Sequence, residues 1–168
     1  MQRLWKGLPV PTRKPDDDVA MRPWLSIART FYLCDALMAR RLGAMGVRTA
    51  EHEILVNLRR DPGIAQQTLA RRCFSAKSHI SAKSHISAVL TTLEERGWVS
   101  REPDPADARA KRLFLTPAGE LAARRTAAIQ AEVAATMADA VSPRALTEVT
   151  AAMLRISQRL QATLQQTD

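Results

Sequence analysis

Aromatic side chains are scarce in this chain: Phe, Trp and Tyr make up 4% of its 168 residues. Sandwiches and barrels draw heavily on such residues, so their scarcity beside abundant Ala and Leu points to helices. Cysteine is limited to Cys34 and Cys73. They lack metal-ligand spacing, and both read as small core residues in a reducing cytoplasm. Nowhere is there the apolar run of about 20 residues that a membrane helix needs, which argues against a membrane partner. The opening "MQRLWKGLPVPTRKPDDD" is broken by prolines and charges and lacks a signal peptide's apolar centre. Residues 1–17 therefore read as a flexible basic arm carrying Arg3, Lys6, Arg13 and Lys14. Enzyme signatures are missing too: no nucleophile–base constellation, phosphate-cradling Gly loop, HExxH or framed pair of carboxylates. The expectation is a cytoplasmic non-enzyme that needs no cofactor and no metal.

Apolar residues reach 46%, enough for a real core, and the formal charge is +8. A strongly basic protein suits a polyanionic partner, nucleic acid first, although composition alone also allows a basic surface without that role.

The first helical pattern runs from a cap at Asp18 to Leu42, with Trp24, Ile27, Phe31, Cys34 and Met38 as its stripe; Pro23 can move its start by a turn. "GAMG" breaks it. Thr49 caps a second helix with acids in its first turn and Ile54, Leu55 and Leu58 as its stripe, ended by Asp61-Pro62-Gly63. "IAQQTLARRCF" predicts a short third helix. "SAVLTTLEERG" predicts a fourth, with Ile86, Val89, Leu90 and Leu93 inward and Gly97 as its stop. "WVSRE" and "RLFLT" then read as two short strands around the turn-rich "PDPADARAK". Thr116 and Pro117 open a helix to about Ala140, and Ser142-Pro143 opens the last, striped by Leu146, Val149, Met153, Ile156 and Leu160. The expected fold is mainly α with a small β-hairpin. Its parts are the arm 1–17, a dimerisation helix over 18–45, a central region over 46–116 and dimerisation helices over 117–168. The long terminal helices carry more apolar surface than so small a centre can cover, which predicts a dimer.

A short helix, a turn, a helix opening with small polar residues and a basic hairpin together resemble a winged helix-turn-helix. Ala, Lys, Ser and His at the start of the fourth helix suit base edges in a major groove. Arg101, Arg109, Lys111 and Arg112 on the hairpin suit phosphates or a minor groove.

"EPDPADARAKRLFLTPAGE" resembles the wing of MarR-type transcriptional regulators, with Asp107-x-Arg109 before the second strand and Leu115-Thr116 followed by Gly119 after it. "LARRCF", "KSHIS" and "LEERGWVSRE" extend the resemblance, which covers about residues 20 to 165. It implies a homodimer on a pseudo-palindromic double-stranded operator, commonly a repressor released by a small aromatic or phenolic effector. Aromatic acids or their CoA thioesters are the effector classes we expect. It also implies that Asp107 holds Arg109, which is aimed into the minor groove. The residues expected on DNA are Lys77, Ser78, His79, Lys83, Ser84, His85, Ser87, Arg101, Asp107, Arg109, Lys111 and Arg112. Trp24, Tyr32 and His52 are the effector candidates, against core or partly exposed helix positions as the plainer reading. In the family's peroxide-sensing branch the reactive cysteine lies earlier on the first helix than Cys34, so Cys34 is expected to be inert core. The rival reading is a helical interaction module, or a regulator that no longer binds DNA.

One feature departs from the family pattern. Ser75-Ala-Lys-Ser-His-Ile80 is followed at once by an identical Ser81-Ala-Lys-Ser-His-Ile86. We read this as a six-residue duplication at the entry to the recognition helix, a naturally longer helix being the alternative. Six helical residues add about 9 Å and about 600°, leaving Ile80 off the stripe that holds Ile86. Copy one either continues the third helix along Leu69, Cys73, Ala76 and Ile80, or forms a loop. A longer loop costs little stability, so the fold should survive and operator binding should weaken or change. His79 and His85 do not share a helix face and so do not suit a joint metal site.

Overall fold

The computed structural model describes residues 17–73, 82–105 and 110–166, with side chains from residues 21–73, 85–105 and 110–166. Its elements in chain order are α1 (Asp17–Gly43), α2 (Thr49–Arg60), β1 (Ile64–Ala65), α3 (Gln66–Arg72) and α4 (Ala82–Glu95). They continue with β2 (Val99–Pro103), β3 (Lys111–Leu115), α5 (Pro117–Ala138) and α6 (Pro143–Gln165). The chain divides into two units, residues 1–37 and 38–168.

In the first unit the described residues belong to α1. Pro23 sits inside the helix rather than moving its start. The expected α1 stripe is covered only in part: Trp24 and Phe31 are exposed, as are Tyr32 and Leu33, and Ile27 is half-buried, while Met38, in the second unit, is buried. Cys34, expected in a core, is only half-buried. A helix with apolar residues around much of its surface lacks one inward face for a small chain to cover.

The second unit has one contiguous core. Ile54, Leu55 and Leu58 of α2 meet Leu69 and Cys73, then Ile86, Val89, Leu90 and Leu93 of α4, Val99, Leu113, and Ala122 and Ala123 of α5. The i, i+3, i+4, i+7 spacing on α4 turns all four of its apolar residues to one side, and none is more than 3% exposed. Burying side chains of this size contributes about 1.5–3 kcal/mol each. Cys73 lies in this core, where loss of water and the charge of Glu53 push its thiol up to about 12.

The sheet differs from the expected two-stranded hairpin. β1 pairs with β3, Ile64 opposite Leu113, giving a three-stranded antiparallel order β1-β3-β2. Ile64 and Ala65 had been assigned to the third helix. A two-residue strand is too short to carry a sequence period, and its partners lie 49 and 47 residues away in the chain.

One helix cap is corrected. Thr49 does not cap α2: the helix is capped at Arg48, whose backbone N–H donates to the Glu51 carboxylate at 2.8 Å. Arg48 Nε and Nη2 donate to the other Glu51 oxygen at 3.1 and 2.9 Å. The first repeat copy, residues 75–80, lies outside the described residues. α3 ends at Arg72, and Cys73 is extended at φ −69, ψ 127.

Glycine is required at two places that frame the hairpin. Gly97, at φ 67, lets α4 end by handing the Trp98 N–H back to the Leu93 carbonyl at 2.9 Å. A Cβ on Gly119 would fall 1.9 Å from the Trp98 carbonyl oxygen. Thr116 joins the same corner: its hydroxyl donates to Gly97 O at 2.6 Å and accepts the Gly119 N–H at 3.1 Å. The Thr116…Gly119 pattern thus ties the exit of β3 to the end of α4.

Candidate nucleic-acid interface

With Ile86, Val89, Leu90 and Leu93 buried, α4 must turn its other side outward. His85 and Thr91 are exposed and Ser87 is half-buried. Lys83 and Ser84 belong to the first turn of α4. Its helical start lies within the second repeat copy, so that copy supplies the opening of α4. Lys77, Ser78 and His79 fall at 74–81, outside the described residues.

The hairpin stands beside it in chain order. β2 and β3 run in register from Val99↔Leu115 to Pro103↔Lys111, and Asp104 N donates to Ala110 O at 3.1 Å to continue the ladder. Arg112 Nε reaches Asp104 Oδ2 at 2.9 Å across the two strands, and Lys111 is exposed. Both cations therefore lie toward the loop end. Asp107 and Arg109 lie in the 106–109 stretch, outside the described residues. Arg101 sits differently from the expectation of a free hairpin cation. It is mostly covered, and its Nε lies 3.0 Å from Glu94 of α4, an ion-pair distance without good hydrogen-bond alignment. It couples the hairpin to α4.

Sequence reasoning missed a second coupling, centred on Glu51. This carboxylate is fully buried, and Arg96 from the end of α4 approaches it at 3.8 Å. Arg96 also donates to Gly46 O at 2.9 Å and lies 5.0 Å over the Trp98 ring. The helix-start pattern marked Glu51 only as an acid suited to a first turn; nothing local signals a partner 45 residues away. Gln66 was missed for the same reason: its Nε2 donates to Ser87 Oγ on α4 at 2.9 Å.

The effector candidates fall in different units. Trp24 and Tyr32 are exposed in the first. His52, in the second, is buried rather than partly exposed as its place among acids had suggested. Burial lowers its pKa from 6.5, partly opposed by the Glu53 charge, and its Nδ1 has no hydrogen-bond partner among the described residues. A hollow of about 350 Å³ in the second unit is lined by Val56, Arg59 and Arg60 of α2 and Ala127 of α5. Among the described residues no group of three or more His, Cys, Asp or Glu could hold a metal, and no helix is long and apolar enough to cross a membrane.

Three helices, a small antiparallel sheet and a β2–β3 hairpin in this order make a winged helix-turn-helix. Residues 48–111 match the MarR family model, and the fold is that of MarR-type winged helix-turn-helix proteins. A solved MarR family transcription regulator shares 20% identity with it, with a TM-score of 0.75 over 89% of this chain and 95% of that one. Sco3205 of Streptomyces coelicolor, a MarR family regulator solved in complex with DNA, shares 24% identity, with a TM-score of 0.69 over 89% and 90%. The S. aureus MepR–DNA complex shares 17%, with a TM-score of 0.70 over 80% and 96%. No curated protein matches the chain.

Proposed function

We propose that this regulator is a cytoplasmic homodimeric repressor that grips a pseudo-palindromic operator and lets go when a small aromatic effector binds. The observation that carries the DNA-binding part is the two-sidedness of α4. Its apolar row is locked in the core while His85 and Thr91 are exposed and Ser87 is half-buried, beside a hairpin bearing Lys111 and Arg112. A major groove accepts one such helix, and a hairpin beside it reaches the flanking backbone. That the similar Sco3205 and MepR were solved with DNA supports the same partner here.

The division of labour proposed along the chain is an arm at 1–17, a dimerisation helix at 18–45, the DNA-binding region at 46–116 and dimerisation helices at 117–168. An effector would favour a dimer geometry that does not fit the operator. Trp24, Tyr32 and His52 stand as separate effector-contact proposals, and the Arg59- and Arg60-lined hollow suits a carboxylated ring. DNA binding is tested by fluorescence anisotropy across salt. A regulator of this kind loses affinity steeply, with a log–log slope near −0.9 per phosphate contacted. A flat response at low and high salt would remove the assignment.

The duplication is proposed to weaken or alter operator binding without unfolding the dimer. Because the copies are identical, removing residues 75–80 leaves one repeat unit leading into α4. The shortened chain is expected to bind a selected operator at a different affinity from the full chain while melting at a similar temperature. Equal affinities would refute the proposal.

A further inference from the structure

α3 closes at Arg72 with Cys73 extended, and α4 opens at Ala82; residues 74–81, between them in sequence, lie outside the described residues. The turn of a helix-turn-helix usually has three or four residues and helps set the angle between its helices. Contacts between the described residues of the two helices also bear on that setting. The apolar ones, Leu69 and Cys73 with Ile86 and Leu90, hold α4 to the core. Burial is not directional, however, and tolerates roll and slide along the helix axis.

A directional tie exists. Gln66, the first residue of α3, donates from Nε2 to Ser87 Oγ, on the second turn of α4, at 2.9 Å in a half-buried setting. Among the described residues it is the one side-chain hydrogen bond joining the two helices. It also acts on the serine's chemistry. A hydroxyl has one proton and two lone pairs. With a lone pair taken by Gln66, the Ser87 proton is left to turn away from it.

We infer that Gln66 is a positioning residue of the recognition helix: through Ser87 it sets the roll of α4 and presents the serine hydroxyl as a donor to a base acceptor. The inference rests on the DNA-reading role proposed above for α4. A donor at this place suits guanine O6 or N7, adenine N7 or thymine O4, and is mismatched with the N4 amino group of cytosine. Gln66 itself acts through Ser87 and is not required to touch DNA.

The test uses the purified full-length protein and two duplexes: one selected by the wild-type dimer from a randomised pool, and a scrambled version. Affinities are measured by anisotropy for wild type, Gln66→Ala, Ser87→Ala and the double variant. Each single substitution is expected to lower affinity for the selected duplex about tenfold, as loss of a base-discriminating contact does. Affinity for the scrambled duplex should stay within about twofold, because backbone contacts carry no sequence information. Gln66→Ala should cost nothing further in the Ser87→Ala background, whereas a general folding defect would appear there undiminished. The inference is overturned if Gln66→Ala leaves the selected-to-scrambled ratio unchanged, weakens both duplexes alike, or costs as much again in the Ser87→Ala background. A wild-type dimer that holds both duplexes equally would instead overturn the DNA-reading role of α4, and this inference with it.

Discussion

Helices α4 and α6 carry equally clear apolar stripes and meet opposite fates. On α4, Ile86, Val89, Leu90 and Leu93 are buried within the chain. On α6, Leu146, Val149, Met153, Ile156 and Leu160 are all exposed, with Leu160 at 60%, and no α6 residue is buried. The difference lies in what surrounds them. α4 has α2, α3 and the sheet within reach, whereas α6 follows the long α5 beyond the part of it that joins the core. A stripe at helical spacing therefore announces burial, but not which chain supplies the cover. A second copy is the cover we propose for α6.

The largest effect should come from breaking the α6 side of this comparison. Met153→Glu with Leu160→Glu forfeits about 1.5–3 kcal/mol of burial per site and adds charge, so dimer dissociation should rise at least about a hundredfold. Sedimentation velocity should then show monomers whose far-ultraviolet circular dichroism remains strongly helical. Breaking the α4 side should act within each chain. Leu90→Ala is expected to cost about 2–5 kcal/mol in urea unfolding, because the surrounding core closes the cavity only in part.

A smaller loss, about 1–3 kcal/mol, is expected for Gly119→Ala, since the added methyl must push α5 away from the Trp98 carbonyl. Thermal melts would register it, and the hairpin, anchored at that corner through Thr116, should lose amide-exchange protection first.

The smallest effect is a pH dependence from His52. Its folded pKa lies below 6.5, so the unfolded chain binds the extra proton more readily. The stability this group contributes is complete above pH 6.5 and is lost as pH falls from there through the lower folded value. The slope is at most about 1.4 kcal/mol per pH unit for one proton. Melting temperatures of wild type and His52→Gln should therefore converge as pH drops below 6.5 if the replacement is otherwise mildly destabilising. A constant gap across that range would contradict it.

Much of the fold was legible because its signals are local. Ser142 and Thr116 cap their helices, as Ser/Thr-Pro starts suggest, by accepting the Ala145 and Gly119 N–H groups at 3.2 and 3.1 Å. Gly97 ends α4 in the left-handed conformation that its place after the stripe implies. The site was legible in part: the start of α4 and the Lys111–Arg112 strand stood out by residue type. Arg101 did not reveal that Glu94 holds it, and Gln66 read as an ordinary polar helix residue. A composition pattern records what a side chain is, but not which distant residue it meets.

Helix periods, caps and stops, the basic hairpin and the doubled hexapeptide were determined by residue order alone, since each depends on neighbours within a few positions. Tertiary structure decided that Ile64 and Ala65 extend the sheet, that Glu51 and His52 are buried, that α3 stops before the repeat, and that Gln66 grips Ser87. Those outcomes depend on strands and helices brought together from far along the chain. There, burial and hydrogen-bond satisfaction across elements outweigh the local preferences that a sequence displays.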